Sequence, residues 1–341
     1  MNGEIPEQEL GALWRHGFGI AYRMLGSVAE AEDVAQESLL RLTRQEEQIR
    51  EPTAWMTTVA TRLSINVLRS ARSRREAYVG PWLPEPLVED PAPGPAARAE
   101  LADSLSLALL VLLERLTPTE RAAYLLREVF GYDYAQVAEV IEQSEVNSRQ
   151  LVTRARKHLE ASRPRFDPDE AERDALLERF LAAAEHGDLQ GLEELLATDA
   201  VLYADAGGKA MAPPEPLVGA SLIARFLAAV AQSWPSAPEY ERRRARVNGQ
   251  PGVVMRGPAE PEFTESQRRA AGEVLARVQS GEIGASEMAA MVRRAQQAGR
   301  SRTGTPAEAE IRVWSVLTVD VVDGRIQAVR IVRNPDKLRH L

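Results

Sequence analysis

Residues 117–160 read TPTERAAYLLREVFGYDYAQVAEVIEQSEVNSRQLVTRARKHLE, and this stretch decides how the middle of the chain folds. Thr117 and Pro118 open a helix, because a hydroxyl side chain caps free N–H groups and proline suits a first turn. Gly131 breaks that helix, residues 134–141 form a short second one, and Ser144 caps a third. At about 100° per residue, Ser148, Val152, Ala155 and Leu159 of the third helix turn inward. Asn147, Arg149, Gln150, Thr153, Arg154, Arg156 and Lys157 then project to solvent. A basic third helix after a tight turn is the pattern of a helix-turn-helix whose last helix enters a DNA major groove.

The preceding block, residues 6–75, also reads as helices. Leu10, Trp14, Phe18, Ala21, Tyr22 and Leu25 recur at helical spacing, and Gly26 stops the run. Ser27 caps AEAEDVAQESLLRL, in which Val34, Leu39 and Leu42 point inward while Glu30, Asp33 and Glu37 stay wet. Pro52 opens PTAWMTTVATRLSINVLRSARSRR. Met56, Val59, Ala60, Leu63 and Val67 form one stripe of it; Arg62, Arg69 and Trp55 form a second, flanked by Arg72.

Between the two helical blocks lies VGPWLPEPLVEDPAPGPAA (79–97), whose six prolines exclude a helix and predict a stiff, extended linker. A linker needs no aromatic residue, so Trp82 beside Leu83 predicts a segment docked on something. From about residue 167 the pattern turns α+β. Leu176, Leu177, Phe180, Leu181 and Ala184 make an amphipathic helix, residues 189–196 a second and 222–230 a third. TDAVLYAD alternates as a strand and ends in the glycine turn AGGK. IRVWSVLTVDVV and RIQAVRIV are strands joined at Asp323-Gly324, a strong hairpin signal. Residues 257–309 interrupt this pattern with two helix-like stretches, one capped by Thr264 and Gln267, the other SEMAAMVRRAQQ. Helices followed by a curved antiparallel sheet predict a small cone-like α+β domain with a helical insertion.

The chain has 341 residues, which suits about two domains rather than one, and 44% hydrophobic residues can bury a core. No cysteine is present, which excludes disulfides, thiolate nucleophiles and Cys-containing zinc sites. The four histidines, His16, His158, His186 and His340, are scattered. No apolar run approaches the roughly 18 residues a membrane helix needs, and the acidic start is no signal peptide; a cytoplasmic protein is expected.

Net charge is −8, yet the charge is segregated. Residues 52–75 hold five arginines and no acid, and residues 149–165 hold six basic residues against one acid. Residues 28–51 hold seven acids and three arginines. Each basic island is either an electrostatic footprint for nucleic acid or a solvated helix face.

Several motifs in order resemble a family. The chain is similar to bacterial extracytoplasmic-function RNA polymerase sigma factors of the subgroup with a SnoaL-like C-terminal extension. AEAEDVAQESLLRL and PTAWMTTVATRLSINVLRSARSRR resemble region 2. LTPTERAAYLLREVFGYDYAQVAEVI and SEVNSRQLVTRARKHL resemble region 4. The subgroup's linker motif stands as WLPEP (82–86) and its C-terminal motif as NPDKL (334–338). Its glycine-rich motif, expected as DGGGK, appears as DAGGK (205–209).

The resemblance implies a multidomain chain: region 2 (1–78) and region 4 (101–165), both all-α, with the linker at 79–100 between them. A SnoaL-like α+β domain (166–341) follows, with its insertion at 257–309. It implies a sigma factor that binds core RNA polymerase and directs promoter recognition, its own C-terminal domain modulating activity, with no catalytic residue, metal or cofactor. Asp33, Gln36 and Glu37 would dock on the β′ clamp helices of the polymerase, carboxylates suiting a basic partner.

Arg62, Arg69 and Arg72 would hold promoter phosphates, and Trp55 either stacks on an unpaired base or packs in the core. Asn147, Arg149, Gln150, Arg154, Arg156 and Lys157 would meet the upstream promoter element, with base readers and phosphate contacts undivided. Trp82, Leu83, Pro84, Glu85 and Pro86 of the linker are expected to meet Asp205, Gly207, Gly208 and Lys209 together with Asn334, Pro335, Asp336, Lys337 and Leu338. Lys209 and Lys337 would pair with Glu85, Glu89 or Asp90. No membrane and no separate anti-sigma protein are implied. Ala206, in place of the family's glycine, would be strained if its φ were positive. The alternative is an enzyme or metabolite-binding domain, with Asp205 as its acid, fused to a DNA-binding module.

Overall fold

The computed structural model describes residues 6–45, 49–76, 78–89, 106–160, 170–232, 240–258 and 311–341. They form two compact units, Met1–Ala77 with Pro95–Arg163, and Tyr78–Gly94 with Pro164–Leu341.

The first unit begins with α1 (Glu7–Leu25), α2 (Val28–Thr43) and α3 (Pro52–Glu76). Gly26 takes a left-handed φ of 66° and donates its N–H to the Tyr22 carbonyl, closing α1. Ser27 then caps α2 by accepting the Glu30 N–H at 3.3 Å. Phe18, Leu25, Ala35, Met56 and Ala60 are fully buried between these helices.

The buried face of α3 is broader than the expected apolar stripe. Thr57, Thr61 and Ser64 are buried with Met56 and Ala60, whereas Val59, Leu63 and Val67 are half-buried. The reason is close packing on several sides at once, since α3 contacts α1, α2 and the helix-turn-helix. Small hydroxyl residues allow that approach, and the helix itself satisfies two of them: Ser64 Oγ donates to the Ala60 carbonyl at 2.7 Å and Thr57 Oγ1 to the Thr53 carbonyl at 3.0 Å.

The rest of this unit is α4 (Leu107–Leu113), α5 (Pro118–Tyr124), α6 (Tyr134–Ile141) and α7 (Glu145–Glu160). Reciprocal capping boxes, Thr117 with Glu120 and Asp133 with Gln136, start α5 and α6. After α5 the chain widens into a π turn over Leu125–Val129, and Gly131 at φ 73° redirects it. Ser148, Val152, Ala155 and Leu159 of α7 are buried, as the spacing predicts, and Leu151 is buried with them.

The second unit packs α8 (Glu170–His186), α9 (Leu189–Leu195) and α10 (Ala220–Gln232) on one sheet. The strands are β1 (Leu196–Asp205), β2 (Leu217–Val218), β3 (Glu241–Val247), β4 (Gln250–Pro258), β5 (Ile311–Val322) and β6 (Arg325–Val332), in the order β2-β1-β6-β5-β4-β3. The sheet is mixed, not purely antiparallel, because β1 and β6 run parallel. These two strands are far apart in sequence, so no tight hairpin constrains their direction.

Two hairpins turn on Asn248-Gly249 and Asp323-Gly324, both residues of each pair at positive φ. Leu202 and Ala204, Val253, Leu317, Val319, Val329 and Ile331 face a core with Leu177, Phe180, Leu192, Ile223 and Leu227. Tyr203 and Asp205 have the opposite parity on β1.

The insertion leaves after β4 and returns into β5, where Pro258 and Ile311 are paired neighbours. Its ends are therefore adjacent, and it can be accommodated without altering sheet register. The capping box at Thr264 and Gln267 and the SEMAAMVRRAQQ stretch lie outside the described residues.

Candidate nucleic-acid interface and linker clasp

The second unit includes the linker. Asp205, at the end of β1, is fully buried, and its carboxylate is satisfied by three donors. It accepts the Tyr78 hydroxyl proton, the Leu83 N–H at 2.7 Å and the Lys337 ammonium at 2.7 Å. Its backbone carbonyl accepts from Arg333 and Asn334, so the NPDKL segment is fixed to the same strand end. Lys337 is itself buried and also donates to the Leu83 carbonyl. Its ammonium stands 4.2 Å from the centre of the Trp82 ring and 4.9 Å from that of Tyr78. Burial, together with the hydrogen bond to Asp205, pushes the Tyr78 phenol well above its usual range, so it remains a neutral donor.

The turn after Asp205 holds this arrangement closed. Its left-handed positions are Gly207 and Gly208, so Ala206 carries no positive-φ strain. A Cβ on Gly207 would lie 2.3 Å from Asn334 Nδ2 and 3.0 Å from the Tyr78 hydroxyl, so glycine is required by space as well as by φ. Asn334 donates to that hydroxyl at 2.8 Å, and Lys209 pairs with Asp336.

Across the sheet, Leu87 donates its N–H to Asn248 Oδ1 at 3.0 Å and accepts the Asn248 N–H at 2.8 Å. Val88 bridges Val247 antiparallel, Glu89 N–H donates to the Arg246 carbonyl, and His340 Nε2 lies 2.9 Å from the Pro86 carbonyl. Leu83, Pro84, Pro86 and Leu87 are buried; Trp82 and Glu85 are half-buried. The linker therefore runs from the end of β1 to the β3–β4 turn as part of the C-terminal domain.

WLPEP, DAGGK and NPDKL thus meet around the Asp205 carboxylate. Lys337 takes Asp205, the Leu83 carbonyl and the Trp82 ring. Asp90 lies outside the described residues. Pro335 and Leu338 build the one-turn helix that carries Lys337, with Leu338 buried. Tyr78, Asn248 and His340 were missed; only the Asn-Gly turn left a signal.

In the first unit, Asp33 and Gln36 are exposed on α2, and Glu37 pairs with Arg41 at 2.7 Å. Leu40, 41% exposed, shares their stripe. Trp55 is partly buried against Leu13, Leu42 and Met56. Arg69 is exposed, and Arg72 lies outside the described side chains.

Arg62 is engaged within the unit. Its guanidinium donates to the Glu139 and Val140 carbonyls at 2.9 and 3.0 Å and pairs with Glu142 at 3.0 Å, closing the C-terminal end of α6. A second contact joins the same two helical regions. His16 Nε2 and Tyr132 OH each approach Thr57 Oγ1, at 2.7 and 2.8 Å. On α7, Arg149 pairs with Glu145 and covers the Tyr134 ring. Arg154 pairs with Glu120 and Arg156 with Glu128, while Asn147 donates to Gln143.

Residues 15–74 match the Sigma-70 region 2 family and residues 106–159 the Sigma-70 region 4 family. The chain is 39% identical over 257 residues to the ECF RNA polymerase sigma factor SigJ of Mycobacterium tuberculosis, covering 74% of this chain and 81% of that protein. It is 36% identical over 180 residues to the probable ECF RNA polymerase sigma factor SigI of the same species, covering 52% of this chain and 62% of that one. The crystal structure of Mycobacterium tuberculosis SigJ superposes with a TM-score of 0.68 at 29% identity over 98% of both chains. With two sigma regions in order and a full-length structural likeness, the chain belongs to the extracytoplasmic-function RNA polymerase sigma factors with a SnoaL-like C-terminal domain, which act with core polymerase and promoter DNA in transcription initiation.

Proposed function

We propose that the C-terminal domain regulates this sigma factor by holding the linker that joins its two helical regions. The observation that carries this is the Asp205 carboxylate, buried and satisfied partly by the linker (Tyr78 and Leu83) and partly by the C-terminal tail (Lys337). A tethered domain works at high effective concentration, so such contacts act without a separate anti-sigma protein. The same carboxylate is fully buried under the linker and the tail, which supports a chain in which Asp205 is not a catalytic acid. Asp33, Gln36 and Glu37, with Leu40 beside them, form the surface for the β′ clamp helices of a cytoplasmic polymerase. Arg69, and Arg62 once released from α6, hold promoter phosphates, and α7 enters the upstream element.

The test is run-off transcription with purified core polymerase. A chain ended before Asn334 loses Lys337, Asn334 and His340 together, and it should initiate more than the full chain because the linker is released. Equal transcription by the two would overturn regulation through the clasp.

A further inference from the structure

The exposed side of α7 divides into a centre and two flanks. At about 100° per residue, Val146, Gln150, Thr153 and Lys157 fall within about 40° of one line. That line is opposite the buried residues Ser148, Leu151, Val152, Ala155 and Leu159. Arg149 and Arg156 lie along one flank, Asn147 and Arg154 along the other. The flanking side chains are held by partners on their own unit: Arg149 by Glu145, Arg154 by Glu120, Arg156 by Glu128 and Asn147 by Gln143.

Gln150, in the centre, is exposed and has no hydrogen-bond partner among the described residues. Val146 is 68% exposed, more than any other large hydrophobic residue described. It sits one residue into a helix where a β-branched residue gains nothing from propensity. Ser144 caps that end, with the Asn147 N–H 3.2 Å from its hydroxyl, so Val146 is held in helical geometry at the tip that enters a groove first.

We infer that Val146 and Gln150 are the base-reading pair of this helix and that they select an A·T base pair, Val146 against the thymine methyl and Gln150 against the adenine edge. The inference rests on α7 being the upstream-element helix. Thymine is the base that offers an apolar group in the major groove, and adenine offers the acceptor and donor that a glutamine amide matches in pairs. The flanking arginines, splayed to both sides, then meet phosphates on the groove walls and carry no sequence information.

The test begins with holoenzyme assembled from the full chain and core polymerase, used to enrich duplexes randomised across the upstream element. Each thymine of the enriched element is then replaced by uracil, which removes the methyl group and nothing else. At one position the substitution should weaken wild-type binding about threefold to fivefold, the scale of one buried methyl group, and leave Val146→Ala unaffected. Gln150→Ala should relax the preference for adenine at that same base pair. If an element is enriched but no uracil substitution matters, the Val146 assignment fails while the upstream-element role of α7 stands. If no element is enriched, that role itself fails.

Discussion

Lys337 and Asp205 form a buried ion pair whose remaining valences are taken by Leu83 and Tyr78. Removing one member leaves the other charged and desolvated, which typically costs about 3–5 kcal/mol. Lys337→Met and Asp205→Asn should therefore each lower the stability of the C-terminal domain by about that much. The double variant should cost clearly less than the two together, because the second change removes the orphaned charge. A denaturant series on the full chain and the three variants measures this; strict additivity would mean the two groups are not coupled. At the neighbouring turn, Gly207→Ala places a Cβ against Asn334 and Tyr78 at φ 55°, whereas Ala206→Gly changes a position that is not left-handed. Gly207→Ala should destabilise by more than about 1 kcal/mol and Ala206→Gly by less, read by thermal melting.

Among the helices, one of the contacts between the two sigma regions joins α1, α3 and the turn before α6 through His16, Thr57 and Tyr132. His16 is its member with an ordinary pKa near neutral pH. Burial first, and the nearby charge of Arg23 second, hold its pKa below the ordinary 6.5. The folded chain thus keeps His16 neutral where the unfolded chain takes up a proton. This contribution is intact above pH 6.5 and is lost as the pH falls below it toward the lowered folded value. The melting midpoint of the sigma regions should fall between about pH 7 and about pH 5, and His16→Gln should flatten that slope. A slope unchanged in His16→Gln would remove His16 from the contact.

These helices were legible because capping and periodicity are local: Ser27, Thr117, Gly131 and Ser144 act where the sequence places them. Asp323-Gly324 gave its hairpin for the same reason, and Asn248-Gly249 carries an equal signal for β3 and β4. The role of Arg62 was not legible, because its acceptors on α6 lie nearly eighty residues away and backbone carbonyls have no sequence signature.

At the scale of the molecule, the linker belongs to the C-terminal domain, and only the motifs hinted at that. WLPEP, DAGGK and NPDKL are separated by more than a hundred residues each, and nothing local predicts that Tyr78 and Lys337 share one carboxylate. On the proposal made above, this domain restrains the linker and so limits how far the two helical regions can separate on promoter DNA. Val88 and Val247 test it directly. Hydrogen bonds from Asn248 and Glu89 flank them, which makes them a pair with closely spaced Cα atoms and suits a disulfide. The chain has no cysteine of its own, so Val88→Cys with Val247→Cys creates a single lock, and the wild type is the control for oxidant. The measurement is single-round transcription by the double variant, oxidised and then reduced, on the same promoter with core polymerase. The oxidised form should initiate severalfold less than the reduced form, and the wild type should not respond to the treatment. Equal initiation by locked and unlocked chains would contradict the claim.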